Sequence, residues 1–346
     1  MNKDTIIGFV LIAVVLIGFS WYNQPSQEEI DAYQHQQDSI AAVQRDKESK
    51  QKKAEAARKA EAEAAAQGDT TALFYSALNG TNQDIILKNQ KVELTFSTKG
   101  GTISKAVIKG FADKDGNKDV TLFDAKDQQM NFLLAGKQDN IITQDLFFTP
   151  SNISDSTVTM TAQTADGGSI VLDYLLGPDH LLHFSLTANG MSGIFAPTYK
   201  EMDIEWSDHS RQQEKGYYFE NRYTGLFYKE AHDGSTDNLS ETSDKTETVE
   251  ETLDWVAFRN QFFSVALISK DNFSGGARLS SVQDDKESGY LKQFDAKLRT
   301  AFDPTGQNPS EFEMYIGPND FRLIQDVEKQ SQFGKDLDLE QLINLG

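Results

Sequence analysis

Past Asn79-Gly80 the chain becomes apolar at every second position, a period that a strand requires and a helix cannot use. Val92, Leu94 and Phe96 alternate with Glu93, Thr95 and Ser97. Val158, Met160 and Ala162 alternate with threonines and Gln163, and Leu182, Phe184, Leu186 and Ala188 with His183, Ser185 and Thr187. Each stretch therefore has one apolar and one wet face. Further strands are expected at Ile103 to Ile108, Ile170 to Leu176, Met202 to Trp206, Trp255 to Phe258, Phe262 to Ile268, Leu298 to Phe302 and Phe312 to Ile316. Turn signals at Gly100-Gly101, Asp115-Gly116, Asp166-Gly167-Gly168, Gly177-Pro178, Gly275-Gly276 and Pro304-Thr305-Gly306 separate many of them. Many antiparallel strands without a long internal helix imply a mainly β fold, a large twisted antiparallel β-sandwich over residues 72–318. No tandem repeat is visible.

The amino-terminal region obeys a different rule. Ile6 to Phe19 is apolar on every face and uncharged, and Ser20-Trp21-Tyr22 closes it. Roughly 17 helical residues reach about 26 Å, nearly the ~30 Å of a hydrocarbon core, and aromatic residues suit its interface. A buried core helix would show polar positions at helical spacing. A removed signal peptide is the stronger alternative: Gly18-Phe19-Ser20 offers small residues at peptidase spacing, but the run is long for a signal and only Lys3 supplies a basic start. An uncleaved anchor over 5–22 is expected, with Ile6, Phe9, Leu11, Val14, Leu16, Phe19, Trp21 and Tyr22 in lipid or at its boundary. Residues 1–4 then stay inside the cell, and Glu28, Glu29 and Asp31 lead the exported side.

Residues 23–71 are rich in Gln, Glu, Lys and Ala and read as a charged, partly helical spacer. Tyr33 and Ile40 start a heptad seam that Lys47 ends. His232 to Thr252 lacks apolar periodicity and reads as a mobile acidic loop between strands. After Gly317-Pro318 the period turns helical: Asn319 is placed to cap a helix sharing Phe321, Ile324 and Val327 on one face, stopped by Phe333-Gly334. Leu339, Leu342, Ile343 and Leu345 then make an end too apolar to stand free, so the chain is expected to continue beyond Gly346.

Chemistry is sparse. The chain of 346 residues has 33 Lys+Arg against 53 Asp+Glu, a formal net charge of -20, which repels nucleic acid. Without cysteine there is no disulfide, thiolate metal site, cysteine nucleophile or lipidated cysteine. His180 and His183, three apart in a strand stretch, face opposite ways and suit no shared metal. Asp113 to Asp119 imitates a calcium loop but puts its glycine at the fourth place and lacks the closing Glu, so a turn is expected. Asp203 and Glu205 share a solvated strand face. No phosphate loop or nucleophile elbow occurs, and neither an enzyme nor a cofactor is expected. Tyr217-Tyr218-Phe219, Tyr223 and Leu226-Phe227-Tyr228 pack the core or, alternatively, form a platform for sugar or peptide.

Leu253 to Phe263, with Trp255, Gln261, Phe262 and Phe263, resembles the signature of the large periplasmic domain in the bacterial YidC/Oxa/Alb insertase family. Met1 to Ile12 resembles the family's first membrane helix, particularly in Bacteroides-like members. Leu94 to Gly101, ending in Gly100-Gly101, resembles the opening strand of the domain, and Tyr315-Ile316-Gly317-Pro318 its closing strand. The resemblance spans essentially the whole chain. It implies a galactose-mutarotase-like supersandwich in the periplasm, anchored in the inner membrane. It also implies partners: the membrane, nascent inner-membrane proteins and Sec translocon components. Insertase activity would reside in further membrane helices, with no catalytic residue, metal or cofactor. Residues 319–346 would be a helical linker toward them, with Phe321, Leu323, Ile324 and Val327 positioning the domain or touching a partner. A membrane-tethered, carbohydrate-binding or sugar-modifying sandwich is the alternative, and nothing in the sequence sets an oligomeric state.

Overall fold

The computed structural model describes residues 73–138 and 140–343. The apolar run Ile6 to Tyr22 and the spacer 23–71 lie outside them. Among the described residues no helix is long and apolar enough to cross a membrane.

A one-turn helix α1 (Tyr75–Leu78) leads into a small antiparallel sheet of β1 (Asp84–Lys88), β2 (Val92–Ser97), β3 (Ile103–Ile108) and β4 (Val120–Phe123). A second sheet, of 15 strands, takes in the rest. Its first part is β5 (Gln128–Ala135), β6 (Asn140–Ile142), β7 (Thr149–Ser151), β8 (Thr157–Gln163), β9 (Ser169–Leu176), β10 (Leu181–Asn189) and β11 (Glu201–Arg211). Helix α2 (Tyr217–Arg222) interrupts it. There follow β12 (Gly225–Glu230), β13 (Thr236–Asn238), β14 (Lys245–Val249), β15 (Leu253–Arg259), β16 (Phe263–Phe273), β17 (Ala277–Gln283), β18 (Tyr290–Ala301) and β19 (Ser310–Pro318), and finally α3 (Phe321–Glu328). The alternation read from the sequence is the burial pattern observed: β2 runs buried, half-buried, buried throughout.

The facing layers expected of a sandwich are two parts of one continuous sheet. β14 and β15 pair along β17 and β16 as one long hairpin that turns a corner near Ser274 to Gly276. On one side of the corner lie β13, β12, β15, β16, β19, β10, β9, β8 and β7; on the other, β14, β17, β18, β11, β5 and β6. A strand that changes layers in this way is how stacked sheets make corners. Rings meet across the gap: Trp206 of β11 stacks on Phe258 of β15 at 3.8 Å, and Phe132 of β5 lies 6.0 Å from Phe312 of β19. The small sheet joins the same core through Phe96, 4.6 Å from Tyr174.

The stretch His232 to Thr252 is not a free loop. It contains β13 and β14, and it buries Leu239 and Val249, two apolar residues that suffice once neighbouring strands supply the ladder. Helix α3 is capped by Asp320, whose carboxylate accepts from the Leu323 amide at 2.9 Å. Asn319 instead donates to the Asn260 carbonyl and accepts from Ser264, fastening the end of β19 to the β15–β16 turn.

Candidate functional site

β15 is buried on both faces over its whole length, which a sheet with one wet side does not allow. Val256 and Phe258 face the layer gap. Trp255, Ala257 and Arg259 face outward, and the chain after Pro318 covers them. In register across this outer face stand Lys229, Trp255, Ile268, Glu313 and His183, then Phe227, Ala257, Ala266, Tyr315 and Leu181. Ala257 and Ala266, directly paired, leave a shallow floor. Ile324 and Val327 of α3, with Leu337 and the two ends of a short 3-10 turn, Leu339 and Leu342, complete a second buried cluster there. Burying each such side chain contributes about 1.5–3 kcal/mol.

Polar groups set the path of this strap. The Trp255 indole donates to the Leu337 carbonyl at 2.7 Å. Lys229, almost fully buried, holds the Asp338 carboxylate at 2.7 Å and the Asp336 carbonyl. Arg259 donates to the Leu342 carbonyl at 3.0 Å, to Glu241 at 2.6 Å and to the Tyr223 carbonyl at 3.1 Å, and its guanidinium lies 4.0 Å over the Phe227 ring. Burial works against the Arg259 charge and lowers its pKa, with Glu241 opposing. Lys335 reaches the Asp254 carboxylate, the Ser269 carbonyl and Asn272. Within the strap the Glu328 carboxylate accepts from the amides of Leu337 and Asp338 at 2.6 and 2.8 Å. Burial raises its pKa and those amide bonds oppose the rise. Buried Glu313 accepts from the Gln332 amide at 2.7 Å and meets His183 at 3.0 Å. Such groups are costly to bury alone and stable only in one geometry, so they select one path for the chain.

Of the residues singled out in the sequence, Trp255, Gly317, Pro318, Ile324 and Val327 come together here, and Leu323 is partly buried beside them. Gly317 sits where a Cβ would stand 2.7 Å from the Tyr315 hydroxyl and 2.8 Å from the His180 ring, so no other residue fits unshifted. Phe263 is buried in the layer gap, whereas Phe262 and Phe321 are exposed and Gln261 lies in the β15–β16 turn. Gly100 and Gly101 lie elsewhere, in the β2–β3 turn, both at positive φ. His180 is buried with Nδ1 2.9 Å from the Ile316 carbonyl, and the Asp113 to Asn117 segment closes on itself as a turn. Asp203 and Glu205 pair with Arg299 and Lys297 on the exposed side of β18. Among the described residues no group of three or more His, Cys, Asp or Glu side chains is arranged to hold a metal. The sequence reading missed Lys229, Asp254, Arg259, Glu313, Glu328 and Lys335. The available signal was a charge inside an apolar strand run, as in Leu253 to Arg259 and Phe312 to Ile316.

Fold and site together define a mainly β, curled-sheet domain that clamps its own carboxy-terminal chain along one fixed path. The sequence profile of the YidC periplasmic domain matches residues 84–346, and the chain belongs to that family. Over the whole chain it is 44% identical to a membrane protein insertase YidC of Phocaeicola vulgatus, covering 55% of that protein. With its counterpart in Bacteroides fragilis it shares 39%, again over the whole chain and 55% of the relative. The chain thus spans about half the length of the curated relatives it matches. Similar solved structures include a galactose mutarotase related enzyme from Lactobacillus acidophilus, with TM-score 0.41, 10% identity and coverage of 68% of this chain and 97% of that one. A galactose mutarotase-like protein from Lactobacillus casei gives 0.42, 12%, 68% and 100%.

Proposed function

We propose that this chain is the anchor and periplasmic domain of a membrane protein insertase. Residues 1–4 are cytoplasmic, 5–22 cross the inner membrane, 23–71 are the spacer, 72–318 the β domain and 319–346 the linker toward further membrane helices. The β domain, a supersandwich of the mutarotase kind, serves as a scaffold without covalent chemistry or cofactor. Nascent inner-membrane proteins are the substrates, and Sec translocon components are partners. An insertase lowers the cost of passing polar segments through hydrocarbon, which is work for membrane helices. The domain's contribution is to hold the linker, and through it the helices, in register.

The observation that carries this reading is the clamp: Trp255, Lys229 and Arg259 each bond a backbone carbonyl of the strap, at Leu337, Asp336 and Leu342. A tether needing only length has no use for it. The sugar-binding alternative loses part of its platform, because Leu226, Phe227 and Tyr228 are buried.

The test uses the full-length protein in cells depleted of their own insertase, with insertion of a reporter membrane protein as readout. Ile324→Glu should abolish most insertion at normal protein level, and Trp255→Phe, which keeps the packing but loses the indole bond, should lower it in part. Arg299→Ala, on the exposed strand face, should leave it unchanged. Normal insertion by Ile324→Glu would refute the positioning role.

A further inference from the structure

The exposed large apolar side chains of the described domain, Ile86 and Val282 apart, gather on one edge. Tyr218 and Phe219 of α2 are 73% and 60% exposed; Phe262, Phe111 and Phe321 are 43%, 42% and 39% exposed. Their contacts form one series. The Phe219 ring lies 5.2 Å from Tyr223, whose carbonyl accepts from Arg259 at the end of β15. Phe262 is the tip of the turn that follows. Its carbonyl accepts from Asn319 at 2.7 Å, two residues before Phe321. Phe111 packs edge-on to Phe263 at 5.5 Å. Leu175 and Ile153, also exposed, continue the edge at the β9–β10 and β7–β8 turns. A monomeric domain rarely leaves so much apolar surface on one side without a use for it.

Two further observations bear on what covers it. Arg222, Lys286 and Arg322 are exposed and stand beside Phe219, Tyr218 and Phe321; the Lys286 ammonium lies 5.0 Å from the Tyr218 ring centroid. Rings with cations at their margin, and acids such as Asp285, Glu287 and Asp320 among them, match zwitterionic headgroups over a hydrocarbon boundary. The strap's last clamped carbonyl, at Leu342, is bonded to Arg259 on this same edge, whereas Leu73, the first described residue, bonds the β8–β9 turn at the opposite edge. The described part of the strap therefore ends at the apolar edge.

We propose that this edge lies against a phospholipid surface, with Tyr218, Phe219, Phe262 and Phe321 at the headgroup boundary. The proposal rests on the reading that the chain is membrane-anchored. It adds which way the domain faces: the β15–β16 turn and α2 toward lipid, and the β8–β9 and β18–β19 turns away from it.

The chain contains no cysteine, so single labels can be placed without background. The 346-residue chain would be reconstituted in liposomes of phosphatidylethanolamine and phosphatidylcholine. Phe219→Cys, Phe262→Cys and Phe321→Cys would each carry an environment-sensitive fluorophore, with Gln307→Cys at the far edge and Tyr22→Cys in the anchor as references. Nitroxide lipids labelled near the headgroup should quench the three edge positions at least about threefold more than position 307, as expected for groups at the interface. Equal, weak quenching at edge and far positions would overturn the proposal. So would edge labels that lipid nitroxides leave bright while aqueous iodide is excluded, which would mean that a protein covers the edge. Failure of the anchor reading is separate: the chain would then not float with liposomes and position 22 would stay unquenched.

Discussion

The two faces of β15 are built on different principles. Toward the layer gap, Phe258 stacks between Trp206 at 3.8 Å and Phe294 at 5.2 Å, in a core whose energy comes from area and close packing. Toward the strap, Trp255, Ala257 and Arg259 present small apolar floor and directed polar groups, and each directed group has a backbone or carboxylate partner in the strap or beside it. The first face makes the domain stable. The second makes one chain path unique, because a misplaced strap would leave Lys229 without its two partners and would strip Arg259 and Glu313 of one bond each.

The sharpest way to separate the faces is to damage each in turn. Phe258→Ala should cost about 3–5 kcal/mol of global stability, read as a fall in the urea midpoint with strap and strands lost together. A midpoint within experimental error of the parent would mean that the gap is not the core.

The gap also contains a charge-sensitive point. Asp208 is buried below Trp206 with one carboxylate oxygen lacking a partner, and burial, with Asp127 nearby, pushes its pKa up to about 8. Its folded pKa lies above its unfolded value, so the folded state binds the proton more tightly. Stability should therefore fall as pH rises from about 4 to about 8. Glu220, raised to about 7 by burial, adds to the same slope below that pH. Asp208→Asn should flatten the stability profile between pH 7 and 8 and leave the Glu220 part below it; denaturation series at each pH would reveal an unchanged slope if this assignment is wrong.

The smallest global effect is expected on the other face. Lys229→Met removes a bond to Asp338 and one to Asp336, worth about 1.5–3 kcal/mol, but only to the strap. Hydrogen exchange should speed at the amides of Leu337 and Asp338, and trypsin should cut sooner after Lys335, while the strands keep their protection. Loss of protection in β15 and β16 as well would show that the two faces are one cooperative unit.

Much of the fold is legible in the sequence. Alternation at Val92 to Ser97 and at Leu182 to Asn189 marks strands because a pleated chain has a period of two, and burial follows it residue by residue. The stretch from His232 to Thr252 was not legible, since β13 and β14 are polar; β13 is held by the adjacent β12, and β14 by β17, which lies beyond two further strands. The same holds for the helix cap: Asn319 and Asp320 are both competent, and only the need to fasten the β15–β16 turn assigns Asn319 elsewhere. Trp255 and Gly317 were visible as signature residues, but their task was not. A buried indole donor, and a glycine under the Tyr315 hydroxyl, acquire meaning only from what lies over them.

Local patterning thus determined by itself many of the strands, which face of each is apolar and where the period after Pro318 becomes helical, because these depend on neighbours a few residues away; it left out strands such as β5, β13, β14 and β17. Tertiary structure alone decided that the sheet folds over at Ser274 to Gly276, that the strap crosses the outside of β15, and that the exposed aromatic residues share an edge. Those arrangements are set by contacts between segments tens of residues apart, and alternation along one strand carries no information about its partner.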